Sequence, residues 1–488
     1  MKNQPKKPLN QTNSRRDFLK TATIATAAFM IIPRHVLGRG FVPPSDRLII
    51  AGIGVGGKGQ SDIWNFSQSG KADIAYLCDV DTVRAAKSVE AFPKAIFYKD
   101  WREMFDKESK NFDAVSVSTP DHNHAIQALA AMQLGKHVYV QKPLTHDVYE
   151  ARMLTDAVKK YKVVAQMGNQ GSSGDGVRKM TEWFRAGLIG DVHTVYCWTN
   201  RPVWPQGIQW PEKPAKVPKT LNWDLWLGTA PEKKYVEKLV PFNWRGWWDY
   251  GTGALGDMGC HLVEAPFRIL ELQHPMDVQA SVGSVYVDEF QRGYFPESCP
   301  PSSHVTMTFA ENKNTDGELK LHWMDGGIQP TRPDELGPDE VFGDGGNGVL
   351  MIGTKGKMMC GTYGTNPRLL PTSLNDVVNV PETLERVPNG ADGHYAQWVE
   401  ACIAGYGNKE LSAPFEISGP LTETLLMANL AIRSTDIRTP RENGRGFDYP
   451  GRDIKLLWDY ENMKVTNFDA ANQFVKRTYR EGWKSLSL

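Results

Sequence analysis

The stretch RLIIAGIGVGGKG, Arg47 to Gly59, restricts the fold more than any other. A short apolar strand runs straight into Gly52, Gly54 and Gly57 at G-x-G-x-x-G spacing. Glycines so placed permit a tight turn and close backbone approach, so that a pyrophosphate can sit on the N-terminus of the next helix. A glycine set alone says little, since such turns are common; its context gives it weight. ADIAYLCD reads as a second strand, and Asp79 lies 22 residues beyond Gly57. That is close to the spacing of about 20 residues at which a carboxylate accepts from the adenosine ribose hydroxyls. A carboxylate there repels a 2′-phosphate, which favours NAD, while the nearby Arg84 leaves NADP open.

The alternation continues. AIFY, DAVSVS, HVYV and VVAQ read as strands, and the stretches around WREMFDK, HAIQALAAMQLG and DVYEARMLTDAVKK read as helices. Strands alternating with helices predict a parallel, doubly wound sheet over residues 46–166, an α/β dinucleotide domain of Rossmann type. Ligands in such sheets bind beyond the carboxyl ends of the strands. Those ends are CDVD, STPDHNH and VQKP, which places Lys142 in the cofactor crevice. Past residue 266, DVQASVGSVYV, HVTMTFA and ELKLHWMDGG alternate as antiparallel strands do, and NGVLMIGTKGKMMCGTYG adds two more. Residues 167–488 are therefore expected to form a second, C-terminal domain.

The first forty residues read differently. SRRDFLK, Ser14 to Lys20, precedes the apolar run TATIATAAFMII, which is short of the roughly 20 residues that span a bilayer. Paired arginines before a short apolar segment predict a twin-arginine signal over residues 1–40. The chain is then a client of that export machinery and is periplasmic or otherwise exported. No later run reaches 18 apolar residues, so no membrane span is expected in the mature protein. Lys plus Arg and Asp plus Glu are 56 each, so no net charge draws the chain to nucleic acid. The six cysteines form no CxxC pair, which argues against a zinc site or a disulfide framework.

Three motifs in order, GIGVGGKG, STPDHNHAIQALAAMQLGKHVYVQKP and GTGALGDMGCH, resemble those of the Gfo/Idh/MocA family of nicotinamide-dependent oxidoreductases. HYAQWVEACIAG and GPLTETLLMANLAIRS extend the resemblance towards the C-terminus. The resemblance implies a dinucleotide domain followed by an α/β domain with a large, mostly antiparallel open sheet, through which copies associate as a homo-oligomer. It implies a catalytic lysine in an E-K-P motif, with an Asp and a His four residues apart; these fall on Lys142, Asp257 and His261. Thr119, Pro120, His124 and Gln141 fall on cofactor-binding positions, His124 near the nicotinamide side, and the Lys-Pro bond is often cis in the family. Gln141 departs from the pattern, since the family carries Glu there. An amide still makes hydrogen bonds but cannot stabilise an adjacent ammonium, which is expected to favour the neutral amine of Lys142.

The residues themselves agree with this chemistry. Positions i and i+4 share one helical face, so Asp257 and His261 can meet the same substrate. Oxidation of an alcohol needs a base for the hydroxyl proton as hydride leaves carbon. His261 suits that role, Lys142 can polarise the same oxygen, and Asp257 can orient substrate or imidazole. A cap-and-core pair is the structural alternative for Asp257 and His261. No metal site is expected, and His122 reads as a surface loop residue. Eight of the fifteen tryptophans lie between Trp198 and Trp248. Interleaved with polar residues, they suit a carbohydrate platform or simple packing. Asn200, Arg201, Trp204, Trp244 and Arg245 are the candidate substrate contacts, and Arg201 can also clamp a carboxylate. Three activities stay open: oxidation of a sugar, cyclitol or glycoside; glycoside cleavage through a transient oxidation and elimination; and a noncatalytic ligand-binding module.

Overall fold

The apolar run Leu48–Ile53 (β1) is buried along nearly its whole length, as a strand covered on both faces must be. The computed structural model describes residues 46–484 and 487–488; the expected signal segment lies outside them. Around β1 run Ala72–Cys78 (β2), Ile96–Tyr98 (β3), Ala114–Val117 (β4), His137–Val140 (β5) and Ala165–Met167 (β6). Their order is β3-β2-β1-β4-β5-β6, parallel throughout. The order reverses between β1 and β4, and the crevice opens beyond the carboxyl ends of these two strands. Helices Lys58–Gln68 (α1), Thr82–Ala91 (α2), Trp101–Glu108 (α3), His124–Gln133 (α4) and Val148–Tyr161 (α5) make the connections. Asp81, Asp100 and Asp147 cap α2, α3 and α5, each accepting from a backbone N–H of the first turn.

The second sheet has nine strands. They are Val192–Trp198 (β7), Asp277–Val282 (β8), Ser303–Phe309 (β9), Thr315–Met324 (β10), Gly348–Gly353 (β11), Lys357–Cys360 (β12), Arg368–Leu370 (β13), Lys455–Asp459 (β14) and Lys464–Val465 (β15). The order is β13-β12-β11-β7-β10-β9-β8-β14-β15, and only β7 and β10 pair in parallel. This is the large, mostly antiparallel sheet expected for the C-terminal half. Asp175–Arg185 (α6), Trp223–Leu227 (α7), Gly253–Leu262 (α8), Glu264–Ile269 (α9), His394–Ala404 (α10) and Phe415–Ser434 (α11) complete the helices used below. Among the described residues no helix is long and apolar enough to cross a membrane. All six cysteines are buried free thiols.

The two sheets do not divide the core between them. On one face of the first sheet, Ile50 of β1 and Ile63 and Phe66 of α1 share a core with Tyr395, Trp398 and Val399 of α10, which lies over 200 residues later in the chain. Trp398 is fully buried, meets the rings of Phe66 and Tyr139, and donates its indole N–H to the Val138 carbonyl at 3.1 Å. Residues 47–488 accordingly form one compact unit. Removing this anchor tests the arrangement: Trp398→Ala is expected to destabilise the protein by about 3–5 kcal/mol, read as a loss of urea midpoint. A loss well under 1 kcal/mol would show that the first sheet does not need α10.

Candidate active site

Gly54 makes the turn after β1 at φ +75°, and a Cβ there would come within 2.8 Å of the Ser118 carbonyl. The close approach of helix to loop falls to Gly59, whose Cβ would run into the Gly54 carbonyl oxygen. Gly57 sits just before α1 with the Arg84 guanidinium across it, and Gly52 packs on Val55 and Ile63 behind the turn. The sequence pattern thus marks the loop correctly but misses Gly59. At the end of β2 Asp79 accepts from the Gly56 and Asp81 N–H groups at 3.0 and 2.9 Å. Burial raises its carboxyl to about 6, against the pull of those two donors.

These groups form one end of a cleft of about 710 Å³. Gly54, Gly56, Asp79, Thr119, Pro120, Gln141 and Lys142 line it along the strand ends, and Asp257 and His261 line it from α8. The donor set fits a dinucleotide: a glycine turn at a helix start, a carboxylate at the second strand, and a titratable cluster beyond β5.

Lys142 follows β5, and its peptide to Pro143 is cis. Its ammonium donates to the Asp257 carboxylate at 2.7 Å and to the Asp257 carbonyl at 2.8 Å. Arg245 reaches the same carboxylate oxygen at 3.4 Å. Burial pushes the Asp257 carboxyl up, but Lys142, Arg245 and His261 together bring it down to about 2. The expectation that Gln141 leaves the lysine without a carboxylate is therefore corrected, because Asp257 supplies one. His261 stacks one turn beyond Asp257 on α8, as the four-residue spacing predicts. Burial and the charge of Lys142 hold its imidazole well below its ordinary range, so it is neutral at pH 7.

The tautomer follows from one residue that sequence reasoning missed. Asn169, just past β6, donates its amide to the Cys260 carbonyl at 2.7 Å, which leaves its Oδ1 as the acceptor facing His261 Nδ1 at 2.7 Å. Nδ1 therefore carries the proton, and Nε2 carries a lone pair. Tyr363 was also missed. It holds φ +64°, rare for a bulky residue, and sets its ring edgewise on His261 at 4.5 Å. No sequence pattern marks either residue; both enter through loops that only the fold brings in.

Several candidates lie behind the cleft wall. His124 is buried with its ring nitrogens on the Thr119 and Pro143 carbonyls at 2.7 and 2.9 Å. It braces the two strand ends instead of facing a nicotinamide. His122 is no surface loop residue: it is fully buried, bonded to the Tyr250 and Trp226 carbonyls, and burial lowers it to about 3. Trp204 is buried with its indole on Gln206, and the exposed Asn200 holds the Arg201 guanidinium at 2.7 Å. Arg201, Trp244 and Arg245 do line the cleft, with the Arg245 guanidinium over the Trp244 ring at 4.3 Å. Most of the tryptophan-rich segment is a small core of its own, built on Trp226, Trp244, Trp247 and Tyr250.

Two late segments roof the nucleotide end. Residues 218–222 cross the β2 end, where the Thr82 N–H donates to the Thr220 carbonyl at 3.1 Å and the Asn222 N–H to the Val80 carbonyl at 2.8 Å. The C-terminal tail is pinned by Arg477 on Glu150 and by Arg480 on Gly228 and Asp224. It carries Trp483 to the cleft wall beside Trp101 and under Arg102.

Residues 48–169 match the Gfo/Idh/MocA oxidoreductase family, NAD-binding Rossmann fold, and residues 187–297 match the same family's C-terminal alpha/beta domain. A glycosyl hydrolase family 109 protein of Shewanella pealeana is 26% identical over 204 residues, 37% of this chain and 44% of that protein. A levoglucosan dehydrogenase of Pseudarthrobacter phenanthrenivorans is 24% identical over 189 residues, 38% of this chain and 40% of that protein. The chain thus matches less than half the length of these curated relatives. Among solved structures, the WlbA dehydrogenase of Bordetella pertussis with NADH and UDP-GlcNAcA shares the fold at TM-score 0.51 and 15% identity, covering 78% of this chain and 95% of that one. Levoglucosan dehydrogenase with NADH and levoglucosan does so at TM-score 0.52 and 16% identity, covering 78% and 96%.

Lys142→Met is expected to lower turnover by about 10²–10⁴ and Asn169→Leu by about 10², the range for lost acid–base help. Because His261 is already neutral, kcat at saturating cofactor should hold as pH falls through 6.5. A limb at that pH would contradict the state assigned to His261.

Proposed function

Because residues 48–169 and 187–297 match the two domains of the Gfo/Idh/MocA oxidoreductases, we propose that the chain oxidises a secondary hydroxyl of a sugar, cyclitol or glycoside. What carries this reading is the convergence of Lys142, Asp257 and a neutral His261 with a free Nε2 lone pair at one end of the nucleotide cleft. NAD, when bound, supplies the hydride acceptor. Lys142 donates a hydrogen bond to the substrate oxygen, and Asp257 with Arg245 holds the ammonium in place. His261 Nε2 takes the hydroxyl proton as hydride leaves the carbon, so the product is a carbonyl. An imidazole whose protonated form is disfavoured gives that proton up readily, which suits it to act as general acid when hydride returns. Arg201 and Trp244 offer a cation and an apolar face to the rest of the substrate.

A second reading keeps the same residues. Relatives called glycosyl hydrolase family 109 protein and alpha-N-acetylgalactosaminidase match at 26% identity. A ring ketone acidifies the neighbouring C–H, so a transient oxidation can drive elimination of a glycoside, after which hydride is returned. The intact catalytic trio argues against a noncatalytic module. Association through the nine-stranded sheet rests on the family resemblance, and export on the SRRDFLK stretch.

Export of a folded protein to a compartment poor in free dinucleotide would require the cofactor to be retained, and the roof over the nucleotide end supports retention. Protein purified without added nucleotide is expected to release close to one NAD or NADH per chain on denaturation. Incubated with a panel of glycosides, it should give either keto products or cleaved sugars with no net change in cofactor; mass analysis separates the two readings, and neither product would sink both. Trp483→Ala is expected to speed cofactor release about tenfold, within the 1–3 kcal/mol typical of an aromatic stacked on a base. An unchanged release rate would remove the tail from cofactor retention.

A further inference from the structure

Gln141 stands where the family carries a carboxylate, and a buried carboxylate stands directly behind it. Asp62, in the second turn of α1, is fully buried. Its Oδ1 accepts from the Lys58 ammonium at 2.5 Å. Its Oδ2 accepts from the Ser118 hydroxyl at 2.8 Å and the Gln141 amide nitrogen at 2.9 Å. Lys58 in turn donates to the Tyr395 hydroxyl of α10 at 2.6 Å. The carboxylate therefore ties together α1 and the ends of β4 and β5.

This fixes which way the Gln141 amide points. Turned over, its carbonyl would face the Asp62 carboxylate, acceptor against acceptor. Gly168 closes the other side, since a Cβ there would lie 2.5 Å from the amide nitrogen and 3.0 Å from Oε1. Oε1 accepts no hydrogen bond from the described residues, and Gln141 lines the cleft next to Lys142.

We propose that Asp62 is a positioning residue, holding the Gln141 carbonyl as an uncharged acceptor for a hydroxyl of the bound dinucleotide beside Lys142. The carboxylate bonded to the lysine is then Asp257, and Asp62 sits one layer back, paired with Lys58. The idea rests on the cofactor reading of the cleft and on no choice of substrate.

A charge swap tests it. Gln141→Glu sets a carboxyl against Asp62, and two such groups cannot both ionise at that distance. The pair takes up one proton, and the protonated carboxyl donates to Asp62 as the amide does. That state is present at low pH and is lost as pH rises through the raised pKa of the pair. The ratio to the parent protein is read from about pH 5.5 to 9, a range in which ordinary carboxyls, tyrosines and lysines do not titrate. Burial lowers His394 to about 4 and drives His261 well below its ordinary range. Burial also raises Tyr139 and Tyr395, and Lys58 is raised by Asp62 and Tyr395 against the effect of its own burial. Asp79, raised by burial to about 6, and Asp121, also raised by burial, are common to every variant, and their contribution cancels in the ratio to the parent protein.

The measurement is the release rate of NADH from the loaded protein, followed by its fluorescence, which needs no substrate. Gln141→Glu should match the parent protein at the acid end. It should release NADH at least about tenfold faster at the alkaline end, the worth of one charge-assisted hydrogen bond. Asp62→Asn combined with Gln141→Glu should abolish that pH step and recover most of the alkaline loss. A single variant whose profile runs parallel to the parent, or a double variant that fails to recover, overturns the proposal. A fault of packing alone would shift all pH values together, and a wrong substrate assignment would leave the NADH result untouched.

Discussion

One ammonium joins the two halves of this protein at the point where they must meet. Lys142 leaves the end of β5 and binds both the carboxylate and the carbonyl of Asp257 on α8. Two acceptors from one residue fix the direction of the side chain as well as its distance, so β5 and α8 are registered to each other at the cleft floor. Arg245, 3.4 Å from the same carboxylate oxygen, offsets part of what burying the pair costs. Everything else in the site follows from that register: His261 lies one turn further along α8, and Asn169 comes from the next strand end to set its tautomer.

Much of this was legible in the chain. A glycine turn, a carboxylate at the right distance and strands alternating with helices all encode local geometry, and local geometry is what periodicity reports. The i,i+4 placement of Asp257 and His261 is legible for the same reason. Asn169, Tyr363 and Asp62 were not, because each acts through a contact between segments far apart in sequence, with no motif around it. The role of His124 was misjudged on similar grounds. A histidine at a strand end can face the crevice or brace its wall, and only the neighbouring carbonyls of Thr119 and Pro143 decide which.

The tryptophans teach a related point. Their density between Trp198 and Trp248 reflects a segment that must build a small core of its own while crossing a nucleotide domain. Large rings achieve that with few residues. Trp226 and Trp244 do both jobs, with one side in that core and one on the cleft. Composition alone cannot separate the two uses, since the physics of a ring against an apolar surface is the same in each.

The segment that carries Trp483 is fastened to parts of the chain more than 250 residues away. Arg477 and Arg480 lean on Glu150, Asp224 and Gly228, and the Trp483 ring stands beside Trp101 on the cleft wall. One proteolytic nick between β15 and Arg477 would leave both sheets and the Lys142–Asp257 pair covalently whole, with the nucleotide end of the cleft closed by noncovalent contacts only. The wall of this cleft is therefore a clasp, and its ion pairs make its grip weaken as salt is added.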